Sequence, residues 1–323
     1  MSKPHLLQTG RLPPVVAEGL APHFEVYKLW EAPDRAALIA EVGPRIEAVC
    51  TSGTHGVKAD DAFMAQFPRL RMIGNFGVGY DSIDASAAAK RGLIVSNTPD
   101  VLTEEVADTT LGLLLMTVRE LGRAELHLRA GRWASEGIYP LTSSLRDRSI
   151  GIAGLGRIGK AIARRCEAFG LPISYYGRNR QPDVAYAYHN TIVALAGAVD
   201  TLIIVTPGGP QTENLVNAEV LAALGPRGVV INMSRGNVID DAALVKALKE
   251  RTIHAAGLDV FRKEPHVDEA YLALDNAVLL PHVGSGTNFT RARMGQLVVD
   301  NLVAFAKRST PPTPVSETPF SGW

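Results

Sequence analysis

Apolar residues recur along this chain as short runs closed by polar or glycine-bearing turns, and longer stretches of helical spacing separate the runs. In the first hundred residues the runs are Phe24–Val26, Ala48–Thr51, Met72–Asn75 and Leu93–Ser96. Strands alternating with helices are predicted, hence an α/β domain. Asn97–Thr98–Pro99–Asp100 reads as extended, because a proline disfavours helix in the residue before it. Thr103 then opens a predicted helix running from Glu104 to Glu120 with a strongly apolar face, and Gly131 to Arg148, with Trp133, Tyr139 and Pro140, reads as a connection.

The strand–helix rhythm resumes at Ser149 and holds to about His282. Ser149–Ala153 predicts a buried strand, followed by a glycine-rich turn, a helix through Phe169 and a second strand, Leu171–Tyr176. Thr201–Thr206 and Val229–Met233 are apolar enough for a parallel sheet covered on both faces. Ala255–Phe261 and Ala277–Pro281 add strands, Thr290 to Lys307 predicts a helix, and Pro311–Pro312–Thr313–Pro314 an extended or loop-like tail.

Length and charge narrow the function classes. At 323 residues the chain exceeds one usual domain, and 46% hydrophobic residues suffice for ordinary cores. Lys plus Arg and Asp plus Glu are equal at 33 each. That balance argues against a nucleic-acid protein held by broad phosphate attraction, while leaving room for a local basic pocket. Cys50 and Cys166 lie in apolar contexts without metal-ligand or redox spacing, so buried, reduced thiols, no metal and a cytoplasmic protein are expected. No long apolar run follows Met1–His5, and Leu111–Met116 is too short to cross a bilayer, so neither a secretory signal nor a membrane partner is expected.

The first candidate chemistry is the turn Gly154–Leu155–Gly156–Arg157–Ile158–Gly159, set between strand and helix as in a dinucleotide-binding unit. Gly154 permits the tight turn, Gly156 clears the approach of a pyrophosphate, and Gly159 brings the helix close to the strand. An acid gripping a ribose 2′-hydroxyl is expected after the second strand, yet Gly177–Arg178–Asn179–Arg180 stands there. A guanidinium suits phosphate, so Arg178, helped by Asn179 and Arg180, points to the coenzyme with a 2′-phosphate, NADPH or NADP+. Thr206 and Pro207, ending a later strand, are placed beside the adenosine half.

Three further segments end or follow strands: Asn232–Met233–Ser234–Arg235–Gly236, Phe261–Arg262–Lys263–Glu264–Pro265 and Pro281–His282–Val283–Gly284–Ser285–Gly286. Brought to one sheet edge, they make a carbonyl-reducing site. His282 would donate the proton, Glu264 would orient its ring, and Arg235 would hold a carboxylate and polarise the adjacent ketone.

In family order and over almost the whole chain, the sequence resembles the D-isomer-specific 2-hydroxyacid dehydrogenases, above all their glyoxylate/hydroxypyruvate and hydroxyphenylpyruvate reductase members. The stretches that carry the resemblance are Asn75–Asp81, Asn97–Thr98–Pro99, the glycine turn, Ser234–Arg235–Gly236, Gly257–Phe261, Glu264–Pro265 and Pro281–Ser285. The resemblance implies a Rossmann-type doubly wound coenzyme domain, residues 100–287, inserted into a smaller flavodoxin-like α/β substrate domain, residues 1–99 and 288–323. Hinges would fall near Asn97–Pro99 and Gly286–Thr290. It implies Arg235, Glu264 and His282 as the catalytic set, with Thr103, Met233, Ser234, Asp259, Gly284 and Ser285 on the coenzyme. The substrate carboxylate would meet backbone N–H groups at Ser52–Gly53–Thr54 and Val78–Gly79. The expected reaction reduces glyoxylate to glycolate and hydroxypyruvate to D-glycerate with NADPH; arylpyruvates are the alternative substrates. The resemblance also implies a C₂ homodimer through the coenzyme domain, with Trp133 to Tyr139 reaching a partner in some relatives. A coenzyme-sensing interaction protein is the alternative of another class.

Overall fold

The computed structural model describes residues 3–53 and 57–323. The chain forms two compact units, one from its start to Leu102 together with Thr287–Trp323, the other Thr103–Gly286. Each is a parallel sheet with helices between its strands.

The first unit has strands β1 (His5–Gln8), β2 (Glu25–Lys28), β3 (Ile46–Ser52), β4 (Met72–Phe76) and β5 (Ile94–Ser96), in spatial order β2-β1-β3-β4-β5. This is the doubly wound order of flavodoxin-like sheets. β1 was not among the expected strands: only Leu6 and Leu7 of its four residues are apolar, yet both are fully buried at the heart of the sheet. Leu7, Val49, Ile73 and Val95 share a core with Phe63 and Phe67. The final helix, Asn288–Ala306, packs on β4 and on the Pro14–Leu20 helix. Gly74 allows that approach, since a Cβ there would lie 3.0 Å from Leu302 Cγ.

The second unit has β6 (Ile150–Ala153), β7 (Ile173–Tyr176), β8 (Ala187–His189), β9 (Thr201–Ile204), β10 (Val229–Asn232), β11 (Ala255–Leu258) and β12 (Ala277–Leu279), ordered β12-β11-β10-β9-β6-β7-β8 with every pair parallel. This is a Rossmann-type sheet, reversing direction at β6 and β9, where ligands bind in such folds. The helix from Thr103 stops at Val118, before the expected Glu120. Glu120 takes a left-handed backbone (φ 50°) and its carboxylate receives Arg123 and Tyr139, so the chain turns and starts a second helix, Leu121–Arg129. A third, Arg132–Glu136, lies within the expected connection. Several strands end short of their apolar runs, which leaves Thr206, Met233, Phe261 and Pro281 in loops at the C-terminal edge. Among the described residues, no helix is long and apolar enough to cross a membrane.

Candidate active site

At the end of β6 the backbone turns at Gly154, with φ 99°. A Cβ there would sit 3.0 Å from the backbone of Val205 and Thr206, and one at Gly159 only 2.2 Å from the Gly154 carbonyl oxygen. Both glycines are therefore demanded by the fold. Gly156 is not: nothing lies within 4 Å of where its Cβ would be. It precedes the Arg157–Ala168 helix and provides no side-chain cap. Open space before an uncapped helix N-terminus suits a diphosphate. Leu155 is buried under the turn, while Arg157 and Ile158 open the helix. Thr206 Oγ1, at the neighbouring strand end, is buried without a hydrogen-bond partner. Glycine turn, helix end and orphan hydroxyl together fit the phosphates of a dinucleotide. After β7, Arg178, Asn179 and Arg180 are exposed, and the Gly177 carbonyl accepts from Tyr188 Oη at 3.2 Å; Pro207 is exposed after β9.

At the same edge, Asn232 winds the loop after β10. Its Oδ1 accepts from Ser234 N–H (3.0 Å) and Oγ–H (2.9 Å), and its Nδ2 donates to the Arg235 carbonyl at 3.0 Å. The Arg235 guanidinium donates through Nη1 to the Ser234 carbonyl at 2.8 Å. Gly236 then runs against the loop after β11: a Cβ would lie 2.0 Å from Phe261 C and 2.1 Å from Arg262 N. The arginine loop and the glutamate loop are thus in backbone contact.

Asp259, 2% exposed, fastens the histidine turn. Its Oδ1 accepts from Val283 N–H at 2.7 Å and its Oδ2 from Gly284 N–H at 2.8 Å, while its carbonyl accepts from His282 N–H at 2.8 Å. Gly284 is wedged between Asp259 Oδ2 and Met233 Cε, each 3.0 Å from a would-be Cβ. Ser285 is buried, and Thr109 Oγ1 donates to the Gly284 carbonyl at 3.2 Å. Under these restraints His282 holds a left-handed backbone, φ 53°, which costs an L-residue about 1–2 kcal/mol. Such outliers cluster at functional sites.

His282 Nδ1 lies 2.7 Å from Glu264 Oε2, and Glu264 Oε1 accepts from Phe261 N–H at 3.0 Å. A carboxylate on Nδ1 fixes the ring and its tautomer, leaving Nε2 as the working nitrogen. Burial pushes the Glu264 carboxyl up. The hydrogen bonds from His282 and Phe261, with the charges of His282 and Arg235, outweigh it and hold the pKa below the ordinary value. Burial raises the Asp259 carboxyl, its two N–H bonds and His282 oppose that, and Glu264 adds to the rise. Two neighbouring carboxyl groups are thereby driven in opposite directions.

Arg262, unremarked in the sequence, anchors the Glu264 loop. It pairs with Glu213 and Asp241 and donates to Asn214 Oδ1 at 2.6 Å and the Ile239 carbonyl at 3.0 Å. Its partners lie far off in sequence, so no local signal marks it. Burial pushes the thiols of Cys50 and Cys166 up to about 12, so neither serves as a nucleophile. Among the described residues no cluster of side chains could hold a metal ion.

In the first unit, Ser52 ends β3 and Gly53 follows in backbone contact with the Val78–Gly79 loop, where a Cβ on Gly53 would be 2.7 Å from the Gly79 carbonyl oxygen. Thr54 falls outside the described residues. Thr103 is the first residue of its helix.

A Rossmann-type sheet with its phosphate turn on β6 and a carboxylate-held imidazole at the same edge defines a dinucleotide-binding protein equipped for acid–base chemistry. The chain belongs to the D-isomer specific 2-hydroxyacid dehydrogenase family, whose NAD binding domain matches residues 111–284. It is similar to the NADPH-dependent glyoxylate/hydroxypyruvate reductase of Sinorhizobium meliloti, solved with NADP and malonate: 51% identity, a TM-score of 0.93, and coverage of 99% of this chain and 98% of that one. Glyoxylate/hydroxypyruvate reductase A of Arabidopsis thaliana is 44% identical over 92% of this chain and 94% of its own length. A hydroxyphenylpyruvate reductase of Plectranthus scutellarioides is 42% identical over 90% and 92%.

Proposed function

We propose that this protein is an NADPH-dependent reductase of small 2-keto acids, taking glyoxylate to glycolate and hydroxypyruvate to D-glycerate. The observation that carries this reading is the Glu264-held imidazole on the edge that also bears Arg235 and the glycine turn. The likeness to the Sinorhizobium meliloti reductase, solved with NADP, supports the coenzyme.

In this reading Thr103–Gly286 is the coenzyme unit. The turn from Gly154 to Gly159 and the helix behind it receive the pyrophosphate, and Thr206 and Pro207 border the adenosine half. Arg178, Asn179 and Arg180 hold the 2′-phosphate. Thr103, Met233, Ser234, Asp259, Gly284 and Ser285 flank the nicotinamide half. When bound, NADPH supplies the hydride to the keto carbon. His282 gives its Nε2 proton to the oxygen that becomes the alcohol, and Glu264 holds the ring in place for that transfer. Arg235 draws charge toward that oxygen and holds the carboxylate. The loops at Ser52–Gly53 and Val78–Gly79 in the first unit offer backbone N–H groups suited to a carboxylate.

The similarity to a hydroxyphenylpyruvate reductase favours a second substrate set, the arylpyruvates. We further propose a homodimer, supported by the apolar side chains exposed between Leu126 and Leu141: Leu126, Leu128, Trp133, Ile138 and Leu141. Tyr139 donates locally to Glu120 at 2.9 Å, so Trp133, 61% exposed, is the better candidate for a partner contact. The deciding experiment follows coenzyme oxidation with glyoxylate, hydroxypyruvate, phenylpyruvate and 4-hydroxyphenylpyruvate, each with NADPH and NADH. Fastest turnover of glyoxylate or hydroxypyruvate with NADPH is expected. No turnover of any of them would end the reading.

A further inference from the structure

The loop Gly77–Val78–Gly79–Tyr80 is held from behind by two side-chain amides. Asn75 Nδ2 donates to the Gly77 carbonyl at 3.1 Å and to the Gly79 carbonyl at 3.0 Å. Asn97 Nδ2 donates to the Val78 carbonyl between them at 2.8 Å. Thr98 closes the set: its N–H donates to the Gly77 carbonyl at 3.0 Å and its Oγ1 accepts from Gly77 N–H at 3.1 Å. Each of three successive carbonyls thus has a side-chain amide donor, residues 77 and 79 from Asn75 and residue 78 from Asn97.

In a trans peptide the carbonyl and the next residue's N–H point in opposite directions. Each of the N–H groups of Val78, Gly79 and Tyr80 therefore points away from the amide that holds the carbonyl of its own peptide. Among the described residues none of these three N–H groups has an acceptor. Successive backbone N–H groups left without a protein acceptor are donors suited to an anion. Asn75 is 1% exposed and its Oδ1 has no partner, so its whole hydrogen-bonding contribution goes through Nδ2 to this loop. Asn97 is itself held by the C-terminal tail. Its carbonyl accepts from Thr313 Oγ1 at 2.7 Å, and its N–H donates to the Thr313 carbonyl at 3.3 Å.

We propose that Asn75 and Asn97 are positioning residues which, by holding the carbonyls of residues 77 to 79, fix the orientation of the loop's peptides and so keep its backbone N–H groups set for the carboxylate of the substrate. The inference rests on the proposed function, because it takes the occupant of this loop to be a 2-keto acid carboxylate. It assigns a cause to the loop's conformation: the amides make the anion site before substrate arrives, so none of the binding energy is consumed in turning peptides.

Asn97 is the residue to change, being less buried than Asn75. In the NADPH-loaded enzyme, Asn97→Ala and the near-isosteric Asn97→Leu should each raise the KM for glyoxylate and the Kd for oxamate, an unreactive analogue, by about tenfold, the scale of one lost hydrogen bond. The kcat and the Kd for NADPH should stay within about twofold, because the coenzyme site lies on other elements. Unchanged KM and Kd in both variants would overturn the proposal. So would an equal loss of kcat and NADPH affinity, or failure of both variants to fold, since either outcome makes Asn97 a structural residue only. Should the unaltered protein reduce no 2-keto acid, the proposed function falls; the oxamate titration still reports on the loop separately.

Discussion

Replacing Gly236 by alanine adds one methyl group at the point where the arginine loop crosses the glutamate loop. The new carbon would stand 2.0 Å from Phe261 C and 2.1 Å from Arg262 N, whereas ordinary contact begins at 3.4 Å. The segments must part by about 1.4 Å, and the obstacle is backbone on both sides, so no rotamer change relieves it. Losing a glycine would stabilise the chain by about 0.4–1 kcal/mol through the unfolded state. Overpacking costs about 1–3 kcal/mol, so the clash wins. The displaced peptide joins Phe261 to Arg262 and so pulls on Phe261, whose N–H binds Glu264, and Arg235 is the residue next to the substitution. A shift of about 1 Å at such groups costs on the order of 100-fold in rate. Gly236→Ala should therefore lower kcat/KM for glyoxylate about 100-fold and lower the Tm by several degrees, on the scale of about 2–4 °C per kcal/mol. Its Kd for NADPH, from fluorescence titration, should change less than about threefold, since the phosphate turn is built on β6. A variant with kcat/KM within threefold of the parent and the same Tm would show that the two loops are not tightly coupled.

The glycine turn offers a dissociation of stability from binding. Gly156→Ala meets no protein atom within 4 Å and should leave Tm unchanged while weakening NADPH binding at least about tenfold. Gly159→Ala, 2.2 Å from the Gly154 carbonyl oxygen, should lower Tm as well; equal melting behaviour in the two variants would refute the distinction. Arg178→Ala should raise the Kd for NADPH tenfold or more and barely alter that for NADH, so parallel losses would remove it from the 2′-phosphate. Glu264→Gln should cut kcat about 100-fold or more by loosening the proton donor. Its pKa is depressed in the folded state, so its contribution to stability is complete above the ordinary carboxylate range. That contribution disappears as the pH falls through the lower, folded value. The Tm gap between Glu264→Gln and the parent should therefore narrow in acid, and a gap independent of pH would refute this account.

Elements whose pattern is local were readable from the chain. The run Ser149–Ala153, the glycine turn and the following helix announce one another within twenty residues, as β6 and the Arg157–Ala168 helix. β1 and β8 were not readable, because β1 sets two leucines between polar ends and β8 holds no Val, Ile or Leu, and only their neighbours in the sheets make them strands. The break at Glu120 was hidden for a similar reason: Tyr139, which holds its carboxylate, is nineteen residues on.

By itself the sequence determined the α/β alternation, the phosphate turn with arginines in place of an acid, and which residue types stand ready for carbonyl reduction. Tertiary structure alone decided how those residues meet. Parallel strands adjoin only after long crossovers, so spacing along the chain says nothing of the 2.7 Å between Glu264 and His282. Nor does it reveal Asp259 gripping the turn at Val283 and Gly284, or Asn75 and Asn97 holding three successive carbonyls. Those contacts are made between strand ends and loops, where packing rather than periodicity sets position.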